Sequence, residues 1–219
     1  MEKVELIRNF CVAASATIPV AGGAVSVLLD KCLPNKIEER KQKILENIQS
    51  DLSKIDIKIL ENNFENEEFY TVFLKILNKS IANHREEKLI SFRNILLNSL
   101  VEEFWAFDEI SFFIRITDEL TVDQIRILNV FYQSDILKNE RWIQLLEKHG
   151  SSLPKLMSII WEDVDEDYVM ACTTELIRFW LIISSSKNKR RISINRFSLS
   201  QLGERYAKYI FSPIMHEVQ

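Results

Sequence analysis

Apolar residues recur three and four apart over most of the first half of the chain, the spacing of helices that bury one face. Glu2 to Ala16 reads as a short helix with Val4, Ile7, Phe10 and Cys11 on one side. Pro19 and then Gly22-Gly23 follow, and a second short helix reaches about Leu33 before Pro34. From about Asn35 to Glu61 the pattern predicts one long amphipathic helix, with Ile37, Ile44, Leu45, Ile48, Leu52, Ile55 and Ile59 as its stripe. Asn62 to Asn66 reads as a polar connection. Glu67 to Asn83 and Arg85 to Trp105 are two further helices. The first turns inward Phe69, Val72, Phe73, Ile76, Leu77 and Ile81, and the second Leu89, Phe92, Leu96, Leu100 and Phe104. Asp108 is expected to cap a short helix holding Ile110, Phe113, Ile114 and Ile116.

After Leu120 the pattern changes. Thr121 is placed to cap VDQIRILNVFY. Asn139 to His149 and Ser152 to Trp161 read as helical pieces, the former closed by Gly150. A further helix runs from Asp165 to about Leu181, with Val169, Cys172, Leu176, Ile177 and Trp180 as its expected face. Ile182-Ile183 and Ile192 to Leu199 read as strands around a basic polar turn, and Leu202 to Phe211 as a last amphipathic helix. The fold class is therefore mainly α: an N-terminal helical bundle (residues 1–118) followed by a modified winged helix-turn-helix with a short β-hairpin (residues 119–219).

Thr121 to Ile210 resembles bacterial winged-helix domains, through TELIRFWLI (Thr174 to Ile182), the basic turn and RFSLSQLGERYAKYI (Arg196 to Ile210). Ser200 and Gly203 match the serine- or threonine-led "LG" helix of such domains. Trp180 departs from them, because that position is often a glycine that gives the preceding helix a left-handed end. The link Tyr132 to Ser151 is also longer than usual. The whole chain is similar to uncharacterised bacterial helical proteins with an N-terminal IPxxGG segment, here Ile18, Pro19, Gly22 and Gly23. That resemblance implies a phage-defence or mobile-element setting, in which the chain is expected to be a non-catalytic interaction or regulatory subunit.

The chain has 219 residues and a net charge of −4, which argues against general nucleic-acid binding. The charge is unevenly spread. EDVDED, Glu162 to Asp167, puts five carboxylates where a DNA-binding winged helix would meet phosphates. Lys187, Lys189, Arg190, Arg191 and Arg196 fall in ten residues without an acid. The expected partner-binding residues are thus Lys187, Lys189, Arg190, Arg191 and Arg196 on the turn, with Asp163, Asp165 and Glu166 at the acidic helix start. A protein partner is expected. A second copy of the chain is an alternative, and a DNA-binding regulator is a further one that the acidic start disfavours.

The uncharged run Asn9 to Leu29 is long enough to cross a bilayer. Its middle is Ala, Gly, Ser and Thr around Pro19, so a packed helical hairpin is the favoured reading. A membrane-active alternative would use Phe10, Val20, Val25 and Leu28, within residues 10–29.

Catalytic chemistry is not expected. His84, His149 and His216 stand apart, Ser184 to Ser186 lack an elbow, and no phosphate-cradling glycine loop occurs. Trp105, Trp142, Trp161 and Trp180 are expected to fill core. Cys11, Cys32 and Cys172 lack metal spacing and suggest reduced thiols in a cytoplasmic protein. Two acids ahead of the apolar run do not fit an export signal. No metal or cofactor is expected.

Overall fold

The computed structural model describes residues 3–16, 34–101, 107–136, 139, 140, 144, 165–184 and 197–212. These fall into two compact units, one within Met1–Asp118 and the other within Glu119–Ser212.

The first unit is a helical bundle. Its helices are α1 (Lys3–Ala16), α2 (Pro34–Leu52), α3 (Ile57–Phe64), α4 (Glu67–Ala82), α5 (Glu86–Val101) and α6 (Phe107–Glu119). The antiparallel pair α4 and α5 forms its centre. Phe69, Val72, Phe73, Ile76 and Leu77 of α4 are buried, as are Phe92, Ile95, Leu96, Leu97 and Leu100 of α5. Lysines bind main-chain carbonyls to fasten α1: Lys3 Nζ donates to Ser53 O (2.7 Å) and Lys41 Nζ to Ser15 O (3.1 Å). Asn63 Nδ2 donates to Leu100 O (3.2 Å) and so joins α3 to α5.

In the first unit the helix boundaries differ from the sequence expectation at two places. The stripe from Ile37 to Ile59 belongs to two helices. The chain leaves α2 through Lys54 N–Asp51 O and Ile55 N–Leu52 O turns, and Ile55 is buried in the break. Asp56 then caps α3, accepting from Lys58 N at 2.8 Å. This moves Leu60 to the core and carries helix through Asn62 and Phe64, where a connection was expected. Asp108 is the second residue of α6 rather than its cap. Val4 is 72% exposed and lies off the buried face of α1.

The membrane-active reading of residues 10–29 is corrected. Among the described residues no helix is long and apolar enough to cross a membrane. α1 has 14 residues, against about 20 for a span. Phe10 is committed within the bundle. Its ring stacks on Phe64 with centroids 4.0 Å apart and meets Phe73 edge-on at 5.0 Å. Val20, Val25 and Leu28 lie outside the described residues, as does the bend at Ile18 to Gly23.

The second unit has a winged-helix-like arrangement of helices with a small antiparallel hairpin. α7 (Val122–Phe131) opens with the expected cap in its full form: Thr121 Oγ1 accepts from Gln124 N (3.2 Å) and Gln124 Oε1 accepts from Thr121 N (2.7 Å). A π-helical turn, Tyr132–Ile136, continues it. α8 (Glu166–Arg178) is followed by β1 (Ile182–Ser184) and β2 (Phe197–Leu199), paired antiparallel with Ile182 opposite Leu199, and by α9 (Gln201–Phe211). Leu181, Ile182, Leu199, Tyr206, Ala207 and Ile210 make the core beneath the hairpin. The helices expected at 139–149 and 152–161 lie, apart from residues 139, 140 and 144, outside the described residues.

Candidate interaction surface

α8 is amphipathic and ends abruptly. Val169, Cys172, Thr173 and Leu176 face the core, while Glu166, Asp167, Ala171, Thr174 and Arg178 are exposed. The helix starts at Asp165, whose carboxylate accepts from Asp167 N at 2.9 Å. Three exposed carboxylates, Asp165, Glu166 and Asp167, therefore gather at its N-terminus, where the helix dipole favours negative charge. The exposed Arg178 near the other end is paired with Glu175 (3.3 Å).

The C-terminal end of α8 is a Schellman turn. Trp180 N donates to Ile177 O (2.9 Å) and Leu181 N to Leu176 O (3.0 Å). Such a turn needs one residue in the left-handed region, and here it is Trp180, with φ 58°. A bulky residue there costs roughly 1–2 kcal/mol. The turn is gripped from the other side. Ser200 Oγ donates to Trp180 O, Ser200 N donates to Leu181 O (3.1 Å), and Gly203 N donates to Ser200 Oγ (2.8 Å). The main chain of Trp180 and Leu181 is thus fixed by α8 behind it and by the start of α9 beside it.

The indole points the other way. Trp180 is 70% exposed, so the expectation that it fills core is wrong. Helical spacing projected it onto the buried face, but the helix has already ended at Arg178. Ile183, on β1, is also exposed.

Of the partner-binding residues expected from the sequence, Asp165 and Glu166 stand together at the head of α8. Asp163, Lys187, Lys189, Arg190, Arg191 and Arg196 lie outside the described residues. Trp180 was not among them. Its signal was present all the same, as a tryptophan in a position that the resemblance gives to glycine.

The titratable groups nearby are locked rather than activated. Tyr168 Oη donates to Asp123 Oδ2 (3.1 Å), joining α8 to α7. Tyr168 is 44% exposed, and partial desolvation, reinforced by Cys172 and Asp123, shifts its phenol upward. Burial likewise pushes the Cys172 thiol up, which works against nucleophilic use because the thiolate is the reactive form. Among the described residues no group of three His, Cys, Asp or Glu side chains could hold a metal ion. No protein-family model, no curated protein and no solved structure matches the chain.

Proposed function

We propose that the chain is a non-catalytic interaction or regulatory subunit that recognises a protein partner through its winged-helix-like unit. The observation that carries this reading is Trp180, an exposed indole on a doubly fixed left-handed turn. Tryptophan is over-represented among residues that dominate binding energy, and a rigid base reduces the entropy lost on docking. Backbone strain held in place by its surroundings is also a pointer to use.

The acids at the head of α8 favour a protein over a nucleic acid. In a DNA-binding winged helix the corresponding helix start approaches phosphates. Asp165, Glu166 and Asp167 would meet them with like charge, which costs several kcal/mol in order of magnitude. The basic residues Lys187, Lys189, Arg190, Arg191 and Arg196, between β1 and β2 in sequence, suit an acidic rim on the partner. A phage-defence or mobile-element setting rests on the resemblance alone.

The test is affinity purification from the native cell, with and without nuclease, using the unaltered chain, Trp180→Ala and an Arg190→Glu/Arg191→Glu double variant. A stoichiometric protein that survives nuclease and is lost with both variants is the expected result. Recovery of nucleic acid alone, with affinity falling steeply as salt rises, overturns it in favour of a DNA-binding regulator.

A further inference from the structure

We infer that the groove between α2 and α5 of the first unit binds a small amphiphilic anion, an aliphatic chain ending in a carboxylate or phosphate. This site is independent of the surface around Trp180. The groove encloses about 470 Å³, within the roughly 300–1,000 Å³ of small-molecule sites. Three helices build it from residues one turn apart, which places them on single faces. α2 supplies Arg40, Ile44 and Ile48, α4 supplies the buried floor at Ile76 and Ser80, and α5 supplies Leu89, Ile90 and Arg93.

Ile44, Ile48 and Ile76 are buried, but Ile90 is left 42% exposed at the groove. An aliphatic body laid over Ile90 would remove that surface from water, which favours binding.

The charges are sorted by depth. The two arginines are half-buried, whereas the carboxylates of Glu39 and Glu86 are on exposed residues, where solvent screens them. Arg40 donates to the main-chain oxygen of Ile81 (3.0 Å), a neutral partner. Arg93 meets Asp51 at 2.8 Å, but Asp51 is shared with Lys54 at 2.9 Å, so two cations divide one carboxylate. Lys43 stands exposed at the mouth, and among the described residues no carboxylate lies within ion-pair distance of Lys43 or Arg40. Guanidinium groups match carboxylate and phosphate oxygens in geometry as well as charge.

The experiment is calorimetric titration of the full chain with decanoate, decyl phosphate, decanol and acetate, all below micelle-forming concentrations. Saturable one-to-one binding of decanoate or decyl phosphate is expected, at least tenfold tighter than decanol or acetate. The tighter of the first two identifies the head group. Lys43→Glu and Ile90→Asp alter exposed side chains and should each weaken binding at least tenfold. Val12→Asp, an exposed change on α1, should leave it intact. Absence of saturable binding, equal affinity for decanol, or unchanged binding in both groove variants overturns the proposal.

Discussion

Gly203 of α9 lies against the main chain of Leu181, so close that a Cβ at 203 would stand 1.9 Å from the Leu181 carbonyl oxygen. Neither side can yield easily. Leu181 is held by the Schellman turn and by Ser200, and Gly203 by its own hydrogen bond to Ser200 Oγ. Gly203→Ala should therefore destabilise the second unit by about 3 kcal/mol, the upper end of ordinary overpacking. Ser200→Ala, which removes the cap of α9, should cost about 1 kcal/mol. Urea unfolding followed by circular dichroism measures both. A Gly203→Ala midpoint equal to that of the unaltered chain would show that Leu181 and residue 203 can move apart at no cost.

Trp180 supplies the complementary prediction. Glycine at 180 relieves the left-handed strain of roughly 1–2 kcal/mol, and gives back about 0.4–1 kcal/mol through the freer unfolded chain. Trp180→Gly should leave stability unchanged or raise it by up to about 1.5 kcal/mol. Partner capture should nevertheless fall as far as with Trp180→Ala. Stability and binding then move independently, which separates a residue kept for docking from one kept for packing. A clear loss of stability in Trp180→Gly would assign the indole to the fold instead.

The sequence pattern exposed the parts of the fold that repeat with helical period. Phe69, Val72, Phe73, Ile76 and Leu77 read as an inward face and are all buried, as are Ile110, Phe113, Ile114 and Ile116. It hid whatever depends on a distant partner. The apolar spacing runs unbroken through the gap between α2 and α3, and the local mark of that gap is a capping aspartate that could as well lie on a polar helix face. Trp180 was misplaced for a related reason, since period alone does not say where a helix stops. Asp165 and Glu166 could be read at the head of α8. The grip of Ser200 and Gly203 could be read only as a motif, because the carbonyls they meet come from the preceding helix end. The groove in the first unit could not be read at all, being assembled from three helices.

Asp51 illustrates such a distant contact and carries its own prediction. It is 7% exposed and receives Lys54 from its own helix end and Arg93 from α5. Removing one member of a buried pair strands the other, at up to 3–5 kcal/mol when both are fully desolvated. Arg93 and Lys54 are partly in water, with side chains 37% and 51% exposed, so the cost is discounted. Asp51→Asn should destabilise the first unit by about 1–2 kcal/mol, read from the shift in urea midpoint. Lys54→Ala alone should cost under about 0.5 kcal/mol, because Arg93 still meets the carboxylate.

Cys11 should make the first unit sensitive to alkali. Its thiol is fully buried, and burial pushes its pKa from 9.0 up to about 11 against a smaller opposing hydrogen bond with Gln49. The folded thiol keeps its proton where the unfolded one loses it, so the native state binds more protons between pH 9 and 11. Stability is then fully present below pH 9 and declines as pH rises through that window. The loss by pH 11 is about 2 kcal/mol in order of magnitude. Other groups titrate in the same range, notably Tyr168, so the measurement is a difference. The urea midpoint of Cys11→Ala should change less between pH 8.5 and 10.5 than that of the unaltered chain. At pH 8 the same burial should make alkylation of Cys11 slow and limited by opening of the bundle, since only the thiolate reacts. Rapid modification of Cys11 in the folded chain, or equal pH slopes for the two proteins, would show that α1 leaves the bundle more readily than its aromatic packing implies.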